Sequence, residues 1–330
     1  MSGFFNKVSK VFSKTPLVIY IIMIVVIISS IVSRYFFTFE NLLKICDQSA
    51  VLLIIAVSMT LIIMIGEIDL SAGAVISLTA VIVALIQQSG VNWIISIFIG
   101  LLVGLTAGLI NGMLVAIEIP SFIVTLGMMY MAKGIALGLS DGATVSGLDD
   151  NFVNIFSGFL GPIPVNILIA IICCLIISFF LNFTTLRSHL FSLGSNKEIA
   201  IKAGVRVKFN RILVFTISGL FASIAGILFA ARLNCGHPTG GIGYEFEAIA
   251  SVVIGGNPLI GGFGSLLNTI LGASLIGILK NSLNMFNFPV WWQMGINGGV
   301  LILALIIGNI VSSITHKKSR VKGIIRNGLY

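Results

Sequence analysis

Residues 182–211 read NFTTLRSHLFSLGSNKEIAIKAGVRVKFNR, and this stretch differs in composition from nearly all of the sequence on either side of it. It holds six Lys and Arg residues against a single acid, Glu198. The flanking sequence is apolar enough to lie in lipid, where charged side chains are costly. We therefore expect this stretch to lie in water, where an otherwise membrane-embedded chain emerges.

A short helix is predicted at the centre of this stretch. Ser195 and Glu198 fit the S-x-x-E capping box, in which a hydroxyl and a carboxylate satisfy free amides of the first turn. Gly204 provides the left-handed residue that commonly ends a helix, and Glu198 and Lys202 are four residues apart in the stabilising order. A helix of about 8 residues is marginal in water and must pack against something. The charges alone leave two interpretations open, a solvated basic loop or a docking element for a cytoplasmic partner.

The composition of the whole chain indicates a membrane protein. Of its 330 residues, 57% are hydrophobic and 9% are charged, whereas a soluble protein carries about 25% charged residues. The four cysteines are too few and too scattered for a disulfide framework. His237 stands alone in a loop and is interpreted as a surface residue, so no metal site is predicted. The pattern G-x-x-x-x-G-K-[ST] is absent from the sequence, which excludes a phosphate-binding loop of that kind.

Ten apolar runs approach the ~20 residues that a helix needs to cross a bilayer. They lie at residues 17–37, 48–65, 72–87, 93–117, 122–139, 165–181, 212–231, 246–254, 266–283 and 291–313. The third run is short, and the eighth looks short or broken. The predicted fold is therefore an all-α polytopic membrane protein of about ten transmembrane helices. A single transmembrane domain at residues 17–314 would lie between tails at residues 1–16 and 315–330.

The distribution of charge predicts the orientation of this domain. Fourteen of the 19 Lys and Arg residues fall in the two tails and in residues 182–211. With ten spans these three segments lie on one side, and loops rich in Lys and Arg stay in the cytoplasm. Both termini and the loop at residues 182–211 are therefore predicted to be cytoplasmic. Spans 2–5 and 7–10 then begin on opposite sides of the membrane, as an inverted repeat requires.

Two turns between the spans have unusual chemistry. The first, at residues 66–73, reads GEIDLSAG, and Asp69 and Ser71 are predicted to cap the third helix. The second, at residues 238–264, contains eight glycines among its 27 residues. Such a density in a membrane domain predicts close backbone contacts, or broken helices that line a cavity.

Four motifs occur in order along nearly the whole chain: GEIDLSAG, GSNKEIAIKAGV, PTGGIGYEFEAIASVVIGG and GNPLIGGFGS. Together they resemble the permease subunit of ribose-type (monosaccharide) ABC importers. That family usually has two glycines before Ile-Asp-Leu-Ser, and Glu67 replaces the second glycine here. The resemblance implies that this chain is not an enzyme and holds no cofactor, since a partner ATPase binds ATP and Mg.

The resemblance also implies partners and a location. Two such permease subunits, identical or homologous, form the pore, and two ATP-binding subunits or a fused double ATPase lie beneath them. An extracytoplasmic sugar-binding protein delivers the solute, and the assembly is expected in the bacterial plasma (inner) membrane. The solute itself stays open, because pentoses, hexoses, a sugar-like signalling molecule and nucleosides are all carried by related permeases.

In that family, the loop between spans six and seven carries the helix that couples the permease to its ATPase. The positions that match it here are Gly194, Ser195, Asn196, Lys197, Glu198, Ala200, Ala203 and Gly204. Of these, the candidate contacts are Asn196, Glu198, Ala200 and Ala203. The turn positions that match the family are Gly66, Asp69, Leu70, Ser71, Gly255, Gly256, Gly261 and Gly262. The resemblance therefore favours docking over a solvated loop.

A neutral sugar requires hydrogen-bonding groups without a fixed charge along its path. The candidate pore residues are Gln48, Asn111, Asn166, Asn281 and Asn284. Each of them can instead hydrogen-bond one helix to another. Lys133 and Lys280 are ionisable groups within spans, which makes them functional candidates, although both side chains are long enough to reach the outer face.

Two other functional classes fit the sequence less well. A secondary transporter of a small polar solute, driven by an ion gradient, requires buried acids or histidines along its path. The acids Glu67, Asp69 and Glu118 all fall at span ends. A channel requires a repeated filter loop, and the glycine-rich segment occurs once. Both alternatives predict transport by this chain alone.

Overall fold

The computed structural model describes residues 17–289, 291–293, 295–296, 298–299 and 302. The predicted tails at residues 1–16 and 315–330 lie outside these residues, as does most of the tenth apolar run.

The described chain is mostly helical, and its helices follow one another with short connections. They are α1 (Leu17–Val32), α2 (Phe39–Met64), α3 (Ala72–Gln88), α4 (Trp93–Ala116), α5 (Ser121–Leu139), α6 (Asp150–Phe156), α7 (Val165–Phe183), α8 (Leu186–Ser195), α9 (Lys197–Lys202), α10 (Val207–Leu233), α11 (Tyr244–Ile254) and α12 (Leu266–Met285). Four two-residue strands are β1 (Val145–Ser146), β2 (Phe159–Leu160), β3 (Ile163–Pro164) and β4 (Cys235–Gly236). Strand β1 pairs with β4 and β2 pairs with β3, both antiparallel.

Six helices of the described chain are long and apolar enough to cross a membrane, namely α2, α4, α5, α7, α10 and α12. They match the predicted spans 2, 4, 5, 6, 7 and 9. Helices α1 and α3 are apolar but shorter. Helix α11 has 11 residues, so at about 1.5 Å per residue it covers roughly half of a ~30 Å hydrocarbon core. The eighth apolar run is therefore a short helix, as its sequence indicated.

Helix α2 is the centre of the bundle. Its sequence is apolar on all sides from Ser49 onward, and a helix of that kind is expected to be surrounded by protein. Every residue from Ser49 to Met64 is buried. Helices α7, α10, α11 and α12 pack around α2.

A row of glycines brings α4 and α10 into close contact. Gly100, Gly104, Gly108 and Gly112 recur every four residues, so they lie along one face of α4. A methyl group on Gly104 would overlap the carbonyl oxygen of Gly219 on α10. Without a hydrophobic driving force between helices in lipid, such close backbone approach is what holds a pair together.

Helices α3 and α11 begin beside each other inside the bundle. Gly73, the second residue of α3, lies against the backbone of Gly241 and the carboxylate of Glu245. The amide of Gly241 donates a 2.8 Å hydrogen bond to Ser77 Oγ on α3. Gly255, at the end of α11, lies against the backbone of α12 at Asn268. The glycines of residues 238–264 thus make the close backbone contacts that their density predicted.

The basic stretch at residues 182–211 contains two helices, where the sequence indicated one. Helix α8 was not predicted, and it buries Leu186, Leu190 and Leu193 on one face. The predicted capping box is wrong, because Ser195 ends α8 and Asn196 becomes the N-cap of α9.

The Asn196 Oδ1 atom accepts from Ile199 N at 3.0 Å, which provides the cap that Ser195 was predicted to supply. Helix α9 therefore has 6 residues, fewer than predicted. Gly204 has a φ of +81°, so the predicted left-handed stop is confirmed.

The α4–α10 contact can be tested with two alanine substitutions of opposite expected sign. Gly104→Ala is expected to lower the free energy of unfolding by about 1–3 kcal/mol, because the new methyl group has no room. Gly134→Ala on α5 meets nothing within 4 Å, and it is expected to be neutral or to stabilise by up to ~1 kcal/mol, since alanine favours a helix. Thermal unfolding in detergent, followed by size-exclusion chromatography, distinguishes them. Equal stability of the two variants would contradict the glycine contact.

Candidate functional site

Several polar segments gather at one end of the bundle, which we call the basic end. It comprises α8, α9 and the turns at residues 65–71, 117–120 and 255–265. This end is held by glycine contacts and by ion pairs, and both involve the segments that the sequence singled out.

Helix α9 has one inward face and one outward face. Ala200 is fully buried against the chain itself, and the Asn196 side chain is occupied in capping. Ile199 and Ile201 are 64% and 54% exposed, and Glu198 and the C-cap residue Ala203 are also exposed. Ile199 and Ile201 lie on the two sides of α9 that flank the inward-facing Ala200, and sequence reasoning identified neither as an exposed apolar side chain.

The end of α8 is fixed to α2 by a contact between backbones, which we call the glycine junction. A methyl group on Gly194 would overlap the carbonyl oxygen of Met64 and the amide of Gly262. The same Gly262 amide donates to Met64 O at 3.0 Å. Gly261 lies against Gly66, and both have positive φ angles, of +85° and +75°. The junction lies three residues before the start of α9 and is a contact that only glycines can make.

Four charged side chains form a chain of ion pairs from α9 to the turn at residues 65–71; we call it the ionic network. Lys197 Nζ pairs with Glu118 Oε2, and Arg211 NH1 lies 3.1 Å from the same oxygen. Arg211 NH2 pairs with Glu67 Oε1 at 2.8 Å.

The two halves of the ionic network differ in exposure. The hydrogen bond from Lys197, together with that from Arg211, lowers the pKa of Glu118 from its ordinary value, although burial acts in the opposite direction. Glu118 and Lys197 are 53% and 39% exposed, whereas Arg211 and Glu67 are 12% and 15% exposed. Because solvent screens exposed pairs, the sheltered Arg211–Glu67 pair is the stronger part of the ionic network.

Asp69 fixes the turn at residues 65–71 inside the bundle. Its Oδ1 accepts from the amide of Ser71 at 2.9 Å and from Ser71 Oγ at 2.6 Å, and its Oδ2 accepts from Ser218 Oγ on α10 at 2.7 Å. Asn111 Nδ2 on α4 donates to Ser71 Oγ at 2.9 Å.

These contacts correct the predicted helix cap. Ser71 occupies the N-cap position of α3 but makes no side-chain cap hydrogen bond, because its hydroxyl donates to Asp69. Asp69 is 2% exposed and ties the turn to α10 rather than capping α3.

Three of the candidate pore residues connect helices to one another. Asn111 bonds Ser71, Asn166 Nδ2 donates to Asp47 Oδ1 at 2.6 Å, and Asn281 exchanges two 3.0 Å hydrogen bonds with Asn41. All three are buried. Asn284 is exposed and accepts from Gln293, and Gln48 is half-buried on α2.

The two lysines within spans have different surroundings. Lys280 Nζ reaches Glu247 Oε2 at 2.6 Å, so it does not extend to the surface as the long-side-chain interpretation expected. Lys133 is half-buried on α5. The partners of Lys280, Arg211 and Lys197 are distant in sequence. The sequence provided one general indication of such pairs, because a chain with 9% charged residues is expected to pair the charged side chains that it buries.

The chain is similar to known transport proteins. Residues 41–305 match the family model described as "Branched-chain amino acid transport system / permease component". The D-allose transport system permease protein AlsC of Escherichia coli (strain K12) is 36% identical over 292 residues, which cover 88% of this chain and 90% of that protein. No solved structure matches the chain.

Two ribose permeases are similar to the same extent. The ribose import permease protein RbsC of Escherichia coli (strain K12) is 36% identical over 295 residues, covering 87% of this chain and 91% of that protein. The RbsC protein of Bacillus subtilis (strain 168) is 35% identical over 289 residues, covering 87% of this chain and 90% of that protein.

The Arg211–Glu67 pair yields a stability prediction. Arg211→Met leaves the sheltered Glu67 carboxylate without its counter-ion and is expected to lower the free energy of unfolding by about 1–3 kcal/mol. The double variant Glu67→Gln/Arg211→Met is expected to recover most of that loss, since no unpaired charge remains. Thermal unfolding of wild type, both single variants and the double variant gives the coupling energy. Additive effects of the two substitutions would contradict the pairing.

Proposed function

The chain belongs to the permease family of ABC importers that also contains the ribose and allose permeases, and on this premise we propose that it carries a simple sugar or sugar-like solute across the bacterial inner membrane. The observation that carries the proposal is the similarity to two sugar permeases over 87–88% of this chain. An importer of this kind is driven by ATP hydrolysed in a separate subunit, so this chain is a transport subunit and not an enzyme. An ion-gradient-driven transporter is the weaker alternative.

We propose ten membrane crossings with both termini and the basic end in the cytoplasm. The placement of Lys and Arg supports this orientation. In support of an inverted repeat of spans 2–5 and 7–10, α3 and α11 begin beside each other within the bundle, where Gly73 meets Gly241.

In this proposal, α9 and its flanks at residues 194–204 dock on the ATPase. Ile199, with Glu198 and Ala203, supplies the contact surface, and Ile201 lies on the other flank of α9. Ala200 faces inward and supports α9 from below. Exposed apolar side chains next to polar and charged ones are a composition that protein interfaces favour.

Two connections would transmit movement of α9 into the bundle. The glycine junction joins Gly194 to the end of α2 and to Gly262. The ionic network joins Lys197 through Glu118 and Arg211 to Glu67. Both reach the turn at residues 65–71, which Asp69 anchors inside the bundle.

Three partners are part of the proposal: the ATPase, which binds ATP and Mg; a second permease subunit, identical or homologous; and an extracytoplasmic sugar-binding protein. The transport path would lie between the two permease subunits, as two copies are needed to form a pore in this family.

Uptake in proteoliposomes tests the function. The complex is purified from membranes through a tag on this chain and is combined with its sugar-binding protein. It is expected to accumulate radiolabelled D-ribose, D-allose or another sugar of a panel only when ATP is supplied. The isolated chain is expected to accumulate none of them under a proton or sodium gradient. Gradient-driven uptake by the isolated chain would overturn the proposal in favour of a secondary transporter.

The docking surface yields a separate prediction. Ile199→Asp, and Glu198→Lys combined with Ala203→Trp, are expected to lower ATP-driven uptake by about 10-fold or more, because an interface anchor is lost or obstructed. Binding of the ATPase to the tagged chain should fall in parallel, while thermal unfolding of the chain is unchanged.

Ile260→Asp provides the matched control, since Ile260 is an exposed isoleucine of the basic end outside α9. Normal uptake by the Ile199 variant, or an equal loss in the Ile260 variant, would contradict docking through α9.

A further inference from the structure

Two ion pairs of the described chain lie outside the basic end, Arg232–Asp47 and Lys280–Glu247. Lys280 Nζ on α12 is 2.6 Å from Glu247 Oε2 on α11. The same ammonium lies 4.8 Å from the centre of the Tyr244 ring, at the start of α11. The Tyr244 ring is in turn held edge-on by Phe229 of α10, with ring centres 6.1 Å apart.

This cluster lies at membrane depth. Lys280 is 14 residues into the 20-residue helix α12, or about 21 Å along a helix about 30 Å long. Helices α11 and α12 run antiparallel, because Gly272 lies against Ser251 while Gly255 lies against Asn268. Glu247, one turn before Ser251, therefore lies level with the part of α12 that approaches Lys280.

The cluster is not sealed inside the protein. The side chains of Lys280 and Glu247 are 28% and 13% exposed. Ionisable side chains within membrane helices face the interior of the bundle or a water-filled cavity, because lipid does not solvate them. Since the Lys280 ammonium is directed at Glu247 and Tyr244 and not at the membrane surface, its exposed part is expected to face water.

Three of the five amide side chains that first suggested a polar path are used elsewhere. Asn111, Asn166 and Asn281 are buried in hydrogen bonds between helices. The Lys280–Glu247 pair is a polar group at membrane depth that retains exposed surface.

We propose that Lys280 and Glu247 contact the hydroxyl groups of an uncharged sugar as it crosses the membrane, and that Tyr244 positions Lys280. This inference rests on the proposed transport function. The ammonium donates hydrogen bonds and the carboxylate accepts them, and a sugar hydroxyl can do both. The two charges of the pair cancel, so the pair suits a neutral polyol.

Tyr244 acts through Lys280, whose ammonium is attracted to the face of the ring. Tyr244→Phe retains the ring and is expected to keep transport, whereas Tyr244→Leu removes the attraction and is expected to reduce it.

The first test asks whether the cluster faces water, and it needs no solute. In a variant without the four native cysteines, Lys280→Cys is treated in right-side-out vesicles with the impermeant reagent 2-(trimethylammonium)ethyl methanethiosulfonate. Leu175→Cys is the control, since Leu175 is exposed on the apolar surface of α7 and a thiol in lipid does not ionise to the reactive thiolate. Labelling at position 280 alone is expected. A Lys280→Cys variant no more reactive than Leu175→Cys would overturn the proposal.

The second test asks whether the pair acts on transport. Lys280→Met and Glu247→Gln in the assembled complex are expected to reduce ATP-driven uptake about 10-fold, through the loss of charge-assisted hydrogen bonds to the solute, while ATP hydrolysis and ATPase binding persist. Treatment of Lys280→Cys with 2-aminoethyl methanethiosulfonate restores an ammonium group and is expected to restore uptake, whereas the anionic 2-sulfonatoethyl reagent is not.

Lys133→Met is the matched control for removal of a membrane lysine and is expected to transport normally. Normal uptake by Lys280→Met, or an equal loss in Lys133→Met, would overturn the proposal. A wild-type complex without ATP-driven uptake would instead refute the proposed function, and the labelling result would distinguish that failure from this one.

Discussion

A charge or a free polar group inside a membrane bundle must find its partner within the protein, because lipid offers none. The turn at residues 65–71 obeys this constraint through both its side chains and its backbone. Asp69 is buried, so its carboxylate is satisfied by Ser71 and by Ser218 of α10. The backbone of the preceding residue, Ile68, bonds the hydroxyls of Ser121 and Thr125 on α5. The turn is thereby attached to both α5 and α10, and Glu67 adds a link to the surface through Arg211.

The glycines hold the helices together under the same constraint, through contacts between backbones. Where α4 meets α10, and where α3 meets α11, main chains approach so closely that a methyl group would overlap the neighbouring backbone. These contacts substitute for the hydrophobic driving force that is missing between helices in lipid. They also allow α11 to begin inside the bundle, which places Glu247 at membrane depth opposite Lys280 of α12.

The long helices and the close contacts in residues 238–264 could be predicted from the sequence, because apolar runs and glycine density are local signals. The start of α9 could not be predicted, since Ser195 fits both as the last residue of α8 and as a cap, and α8 is favoured by its three buried leucines.

The ion pairs could not be predicted from the sequence either. Arg211 and Glu67 are 144 residues apart, and nothing local to either residue indicates the other. The asparagines illustrate a third limit, because a buried amide looks the same in sequence whether it faces a solute or a neighbouring helix.

The loop at residues 255–265 connects the two regions of the protein that carry the chemistry. At the basic end, Gly262 of this loop lies against Gly194 and donates to Met64. The same loop joins α11 to α12, the two helices whose spacing sets the Lys280–Glu247 contact. Inside the loop, Asn257 Oδ1 accepts from the amide of Ser265 at 2.8 Å, and its Nδ2 donates to Thr269 Oγ1 at 3.0 Å. These hydrogen bonds restrain the loop. In the proposed transport cycle, a displacement of α8 and α9 that moves Gly262 would therefore act on the relative position of α11 and α12, where a small change in distance would weaken the charge-assisted Lys280–Glu247 hydrogen bond.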